Sequence, residues 1–312
     1  MTRMTPAFKR LFDDIGQDYD WALHHPEKLR NGSLRWRNVV YATPFGYRPL
    51  MMDVTIPKGT GPHPLVVFIH GGAWAIGSPK ITNPVYRKMD FLGRLENAGF
   101  AVACISYRFS EEAKFPTQLH DCKAAIRYLR KHAPIFGIDP KRFATFGDSA
   151  GGHLATLVGL TGTTKAMEGN VGVTKGSSAV QAVVNWFGPT RFLTMAKEKR
   201  ALKSWGNSDA PDSPESLLVG GAIQKLKAKT RAASPITYVR KGAPPTLLQY
   251  GDTDRLVPLA QGEALYAALK AKGNDVTLQV IKGADHCFWG VDGTPIVDEV
   301  IRFLDRTIGD HA

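Results

Sequence analysis

Residues 143–157 read FATFGDSAGGHLATL. A run of apolar and small residues leads into Gly147-Asp148-Ser149-Ala150-Gly151, and a helix-like stretch follows. The pentapeptide matches G-x-S-x-G, and its context is a strand before and a helix after. A strand-to-helix turn that tight admits only small residues beside the serine and holds the Ser149 hydroxyl out at the carboxyl edge of a sheet. The following helix directs its N-terminus at the same edge, where its dipole favours negative charge. A plain βα turn with a serine N-cap explains Ser149, but not glycines on both sides of it.

The rest of the chain repeats the strand-then-helix rhythm. Segments 63–70 (HPLVVFIH), 100–108, 142–148, 182–188, 245–252 and 276–283 are nearly continuous apolar runs, as expected of strands covered on both faces. Helical spacing recurs between them, at Val85, Met89 and Leu92, at Leu119, Cys122, Ile126 and Leu129, and at Ile296, Val300, Phe303 and Leu304. Upstream, RNVVYAT and PLMMDVTIP flank PFGY and read as an antiparallel pair that opens the sheet. The expectation is an α/β protein with a mostly parallel sheet. Two regions break the rhythm. Residues 1–35 place Phe8, Leu11, Phe12 and Ile15 on one helical face, read as packing onto the domain. Residues 190–240 read as a folded insertion.

A nucleophilic serine needs a base, an acid that orients the base, and donors for the oxyanion. Of nine histidines, His286 in GADHCFWG follows the last predicted strand and so lies at the edge that carries Ser149. His24, His25 and His311 sit near the ends of the chain, His63 opens a strand, and His120 and His132 share a helix. His153, four residues past Ser149 on its helix, should point away from the hydroxyl. The loop QYGDTDRLVP offers Asp252 and Asp254. Asp254 is preferred, because Asp252 follows Gly251 directly and shapes the turn. Asp285 adjoins His286, and neighbouring side chains diverge. In FIHGGAWAIG a strand ends at His70, and Gly71-Gly72 lets backbone amides approach a ligand closely. The expected oxyanion donors are the amides of Gly72, Ala73 and Ala150, with His70 fixing the loop.

Composition excludes several classes. No segment approaches the ~18 apolar residues that span a bilayer, and the N-terminus has neither an apolar core nor a cleavage site of the secretory kind. A cytoplasmic location without stable membrane insertion is therefore expected. Cys104, Cys122 and Cys287 are odd in number and widely spaced, which argues against a disulfide framework or a structural zinc. The net charge is +12. From Thr190 to Lys241 there are eleven Lys and Arg against four Asp and Glu, so +7 lies in one segment. No nucleic-acid motif accompanies it, and it reads as a solvated basic face. No internal repeat is present.

HGGAW (70–74), GDSAGGHLA (147–155), DTDRLVP (252–258) and GADHCF (283–288), in this order, resemble the α/β-hydrolase superfamily. The nearest likeness is to hormone-sensitive-lipase-like and feruloyl- or acetylxylan-esterase-like bacterial carboxylesterases. It extends from about residue 35 to the C-terminus and includes SPESLL and ASPITYV in the insertion. The resemblance implies an eight-stranded sheet flanked by helices, with a helical cap built from residues 1–35 and 190–240 over a core of 36–189 and 241–312. It implies short-acyl ester hydrolysis without cofactor or metal, by Ser149, His286 and Asp254. Hormone-sensitive-lipase relatives usually read H-G-G-G, whereas Ala73 and Trp74 follow here, and H-G-G-x-W also resembles kynurenine formamidases. Ester and formamide thus both stand as substrates.

A binding protein on a dead hydrolase scaffold is the competing class, but such a scaffold typically lacks the nucleophile or the base, and both are present. Dehalogenases and epoxide hydrolases use Asp, and dienelactone hydrolases Cys, where this chain has Ser149. The expected partner is a small ester, not a nucleic acid. The edge strand near 276–283 leaves a homodimer open.

Overall fold

The computed structural model describes Leu23 and residues 25–80, 83–202 and 206–309. The helical face expected at Phe8, Leu11, Phe12 and Ile15 lies outside the described residues, with most of the 1–35 segment.

Among the described residues the strands form one nine-stranded sheet in the order β1-β2-β3-β5-β4-β6-β7-β8-β9. They are β1 (Glu27–Lys28), β2 (Leu34–Ala42), β3 (Leu50–Ile56), β4 (His63–Ile69), β5 (Ala101–Ile105), β6 (Ile138–Asp148), β7 (Ala182–Trp186), β8 (Thr246–Gly251) and β9 (Val276–Ile281). The helices are α1 (Pro84–Met89), α2 (Phe91–Asn97), α3 (Thr117–Lys131), α4 (Ala133–Phe136), α5 (Ala150–Thr161), α6 (Phe192–Ala201), α7 (Pro214–Val219), α8 (Lys227–Ala232), α9 (Leu259–Ala271) and α10 (Thr294–Ile308). The β2–β3 pair is antiparallel, as PFGY between two apolar runs suggested, and the β3–β5 pair is antiparallel too. From β5 through β4, β6, β7 and β8 to β9 every pairing is parallel. The eight strands of the resemblance are β2–β9. The ninth, β1, adds two residues at the outer edge against Leu34 and Arg35, too few to show a periodicity.

Burial follows the sequence pattern. β5, β7 and β8 are buried at every residue, and β4 at all but His63. Helices cover both faces, so no side of these strands meets water. Every residue of α5 is buried, which places the helix after Ser149 at the centre of the molecule. α10 instead buries one stripe, including Ile296, Val300, Phe303 and Leu304. β9 lies at the far edge of the sheet, where only Val276 is buried and Val280 is exposed.

One helix differs from its sequence reading. Val85, Met89 and Leu92 suggest a single helix, but the chain breaks at Asp90 into α1 and α2. Asp90 has φ 44° and ψ 38°, and this left-handed residue ends α1 and precedes α2. No helix among the described residues is long and apolar enough to cross a membrane.

Candidate active site

The carboxyl ends of β4, β6 and β8 meet at one edge of the sheet. At the end of β6 the backbone of Ser149 has φ 51° and ψ −119°, a region that costs of order 1–3 kcal/mol for a residue with a side chain. The surroundings hold it there: the Ser149 amide donates to the Trp186 carbonyl at 2.8 Å. Packing explains the flanking glycines. A Cβ on Gly151 would lie 1.9 Å from the Ile69 carbonyl oxygen, and one on Gly147 would lie 2.3 Å from Gly151. Strand β4, the turn and α5 touch backbone to backbone.

The Ser149 hydroxyl lies 3.1 Å from Nε2 of His286. His286 opens a short 3₁₀ turn, His286–Phe288, after β9. Its Nδ1 lies 2.8 Å from Oδ2 of Asp254. A carboxylate accepts, so Nδ1 carries the proton and Nε2 presents its lone pair to the Ser149 O–H. Asp254 is 1% exposed, and its Oδ1 accepts from the amides of Leu256 and Val257, each at 2.8 Å. The carboxylate is thus fixed by its own loop while its second oxygen fixes the imidazole.

The two other aspartates near His286 have different partners. Asp252 accepts from the Gly283 amide at 2.7 Å and shapes the turn. Asp285 accepts from the Arg255 amide at 3.0 Å and from its own neighbour's amide, His286, at 2.8 Å, which ties the two loops together.

The HGGAW loop stands on the other side of Ser149. Gly72 has φ +107°, and a Cβ there would fall 2.2 Å from the Ile76 carbonyl oxygen. Ala73 and Trp74 also have positive φ, 56° each. Ala73 lines the same cavity as Ser149 and Ala150, and the amides of Gly72, Ala73 and Ala150 carry no hydrogen bond among the described residues.

Three residues anchor this loop: His70, expected from the sequence to fix it, and Asp148 and His153, to which the sequence assigned no role. Asp148, next to the serine, accepts from the Gly71 amide at 2.8 Å and from the Tyr86 hydroxyl at 2.9 Å. Burial raises its carboxyl above the usual range, although both hydrogen bonds work in the other direction. His153 points away from Ser149: its Nδ1 lies 3.2 Å from Trp74 Nε1 and its Nε2 lies 2.7 Å from the Ala233 carbonyl. Indole N–H only donates, so Nδ1 accepts and Nε2–H donates to Ala233. His153 thereby links the loop, α5 and the 190–240 segment. His70 donates from Nδ1 to the Gly71 carbonyl at 2.7 Å and stacks on Tyr107 at 4.6 Å. Burial lowers both His70 and His153 to about 4, so both are neutral at pH 7.

A cavity of about 410 Å³ opens over Ser149. Trp74, Met195, Leu256 and Val257 give it apolar walls, and residues 206–215 close one side. Cys287, beside the histidine, is only partly exposed, and burial pushes its thiol up to about 12, which keeps it protonated and unreactive. No group of three or more His, Cys, Asp and Glu side chains that could hold a metal occurs among the described residues.

Fold and site together define an α/β-hydrolase. A strained serine at a βα elbow, a histidine after the last strand and an acid after the strand before it occupy the carboxyl edge of the sheet. Comparison with known proteins narrows this class: residues 52–269 match the BD-FAE family, and the chain belongs to it. It is similar to the esterase LipC of Mycobacterium tuberculosis, with 31% identity over 88% of this chain and 67% of LipC. It is also similar to the esterase LipQ of the same organism, with 29% identity over 85% of this chain and 60% of LipQ. The chain thus spans about two thirds or less of these two relatives. Among solved structures, a truncated carbohydrate esterase from gut microbiota superposes with a TM-score of 0.76, at 29% identity over 87% of this chain and 95% of that one.

Proposed function

We propose that the chain hydrolyses short-acyl carboxylic esters through an acyl-enzyme on Ser149. The observation that carries this reading is the unbroken line from Asp254 through His286 to Ser149, with links of 2.8 and 3.1 Å, opening on the cavity. His286 takes the Ser149 proton as the hydroxyl attacks the ester carbonyl, and the acyl–serine bond forms. The same histidine returns the proton to the departing alkoxide, then activates water to release the acid. Asp254 holds the imidazole in the required tautomer and faces the positive charge that develops on it. The amides of Gly72, Ala73 and Ala150 receive the oxyanion, a contribution of about 3–4 kcal/mol for each well-placed donor. In this reading residues 190–240 act as a cap that shapes the pocket.

A second reading, hydrolysis of aryl formamides, uses the same machinery. It is favoured by HGGAW, whose Trp74 lines the cavity beside Ser149 as an aromatic wall. A panel of short aryl and alkyl esters against N-formyl aromatics separates the two. Turnover of acetates and propionates at least about a hundredfold above the formamides supports the esterase (about 2.7 kcal/mol), and the reverse order supports the formamidase. The Ser149→Ala variant should lose ~10⁴-fold or more in turnover on either substrate.

A further inference from the structure

Lys199 departs from the pattern of its segment. Lys197, Arg200, Lys225, Lys227, Lys229 and Arg231 are exposed and form the basic face expected from composition. Lys199, on α6, is 5% exposed and lines the cavity that holds Ser149. Among the described residues its Nζ has no hydrogen-bond or ion-pair partner. Burial lowers its pKa, while the charges of Glu215 and Asp254 act to raise it. The ammonium is therefore within electrostatic reach of the acid that orients His286, rather than turned out to solvent. A buried ammonium with no acceptor is costly. The two carboxylates in the cavity wall do not supply one. Glu215 has its carboxyl met by the hydroxyls of Ser208 and Ser213, and its Oε2 is enclosed. Asp212 is exposed to water. The Ser149 mechanism does not use Lys199.

We propose that Lys199 makes the cavity a site for anionic esters, in which a carboxylate on the substrate meets the Lys199 ammonium while the ester carbonyl lies at Ser149. The carboxylate accepts from Nζ in a charge-assisted hydrogen bond, roughly twice as strong as a neutral one and stronger again away from water. An amide carbonyl in the same place also accepts, but leaves the charge unbalanced. An alkyl chain leaves the ammonium bare. The apolar walls at Trp74, Met195, Leu256 and Val257 take the carbon skeleton between carboxylate and ester. The exposed basic face acts in the same sense at longer range, drawing anions towards the segment that carries Lys199. Salt screens that long-range part, and screens the buried contact much less. The inference rests on Ser149 as the nucleophile, because it names the class of ester held beside it.

The test uses two matched pairs of esters, each a carboxylate and its neutral amide. Monoethyl adipate and ethyl adipamate differ on the acyl side, and 4-acetoxybenzoate and 4-acetoxybenzamide on the alcohol side. Release of ethanol or acetate is followed at about 0.5 M salt, where long-range steering is screened. The wild-type chain is compared with Lys199→Met and with Lys227→Met on the exposed face. In at least one pair the wild type should favour the carboxylate by about fivefold or more in kcat/KM. The pair that shows the preference says on which side of the ester the carboxylate sits. Lys199→Met should lower that ratio by about fivefold or more, mainly through KM, and Lys227→Met should not. A smaller preference in both pairs overturns the proposal. So does a smaller fall in Lys199→Met, or an equal fall in Lys227→Met. Because the measure is a ratio between two substrates of one preparation, poor folding of a variant does not imitate the result. Retained turnover of the neutral esters by Ser149→Ala would instead remove the nucleophile reading, a separate outcome.

Discussion

Asp148 sits beside the nucleophile but faces away from its chemistry. Its two oxygens hold the Gly71 amide and the Tyr86 hydroxyl, so it sets the height of the HGGAW loop relative to Ser149. Removing it frees the loop that would present the oxyanion donors. Asp148→Ala should therefore lower kcat by about tenfold to a hundredfold, below the full loss of a donor. KM should change little, because the loop serves the transition state more than the bound ester. Steady-state kinetics on a short aryl ester checks this, and an unchanged kcat would count against the positioning role. Nothing local in the sequence announces it, since Tyr86 lies 62 residues away and Gly71 lies 77. By contrast, Ser149, His286 and Asp254 sit in short motifs at strand ends, and a strand end places a side chain at a known edge of the sheet. Of the two aspartates in that loop, Asp254 lies 2.8 Å from His286 Nδ1, while Asp252, directly after Gly251, bonds the Gly283 amide and shapes the turn.

The elbow works as an element because three backbones meet without side chains between them. Gly151 is the tightest point, 1.9 Å from a carbonyl oxygen for any added Cβ. The methyl group has backbone on the other side, not a flexible side chain, so it forces β4 and α5 apart. Gly151→Ala should lower stability by at least about 3 kcal/mol, through overpacking of a fully buried turn. Urea denaturation of the purified variant, or its loss from the soluble fraction, reads this out. A variant as stable as wild type would mean that the turn is looser than described. The strands were readable for a similar reason: buried on both faces, they show as unbroken apolar runs. The break between α1 and α2 was not readable. Apolar spacing continues across Asp90, and only its left-handed backbone, φ 44°, ends the first helix.

At the scale of the molecule, two buried neutral histidines join layers: His70 under the HGGAW loop and His153 between that loop, α5 and residue 233. Their folded pKa is about 4, against 6.5 when unfolded. Between those values the unfolded chain binds the extra protons, so stability falls as pH drops from about 7 towards about 4. At 1.36 kcal/mol per unit, each histidine accounts for roughly 3 kcal/mol over the whole window. Asp148 and Glu215, whose carboxyls are raised by burial, act in the opposite sense and lose their contribution as pH rises. The comparison of variants is therefore the informative one. Between pH 7 and pH 5, His153→Gln should lose about 2 kcal/mol less than wild type by urea denaturation. Equal losses would mean that His153 is not held neutral.

The proposed chemistry turns on the Ser149 hydroxyl as the nucleophile. Its most direct test is reaction of the purified chain with a fluorophosphonate, followed by peptide mass spectrometry. A single adduct on Ser149 is expected. It should be absent in Ser149→Ala and formed slowly in His286→Ala, with ester turnover lost in step. Labelling on another residue, or wild-type turnover by Ser149→Ala, would contradict the account.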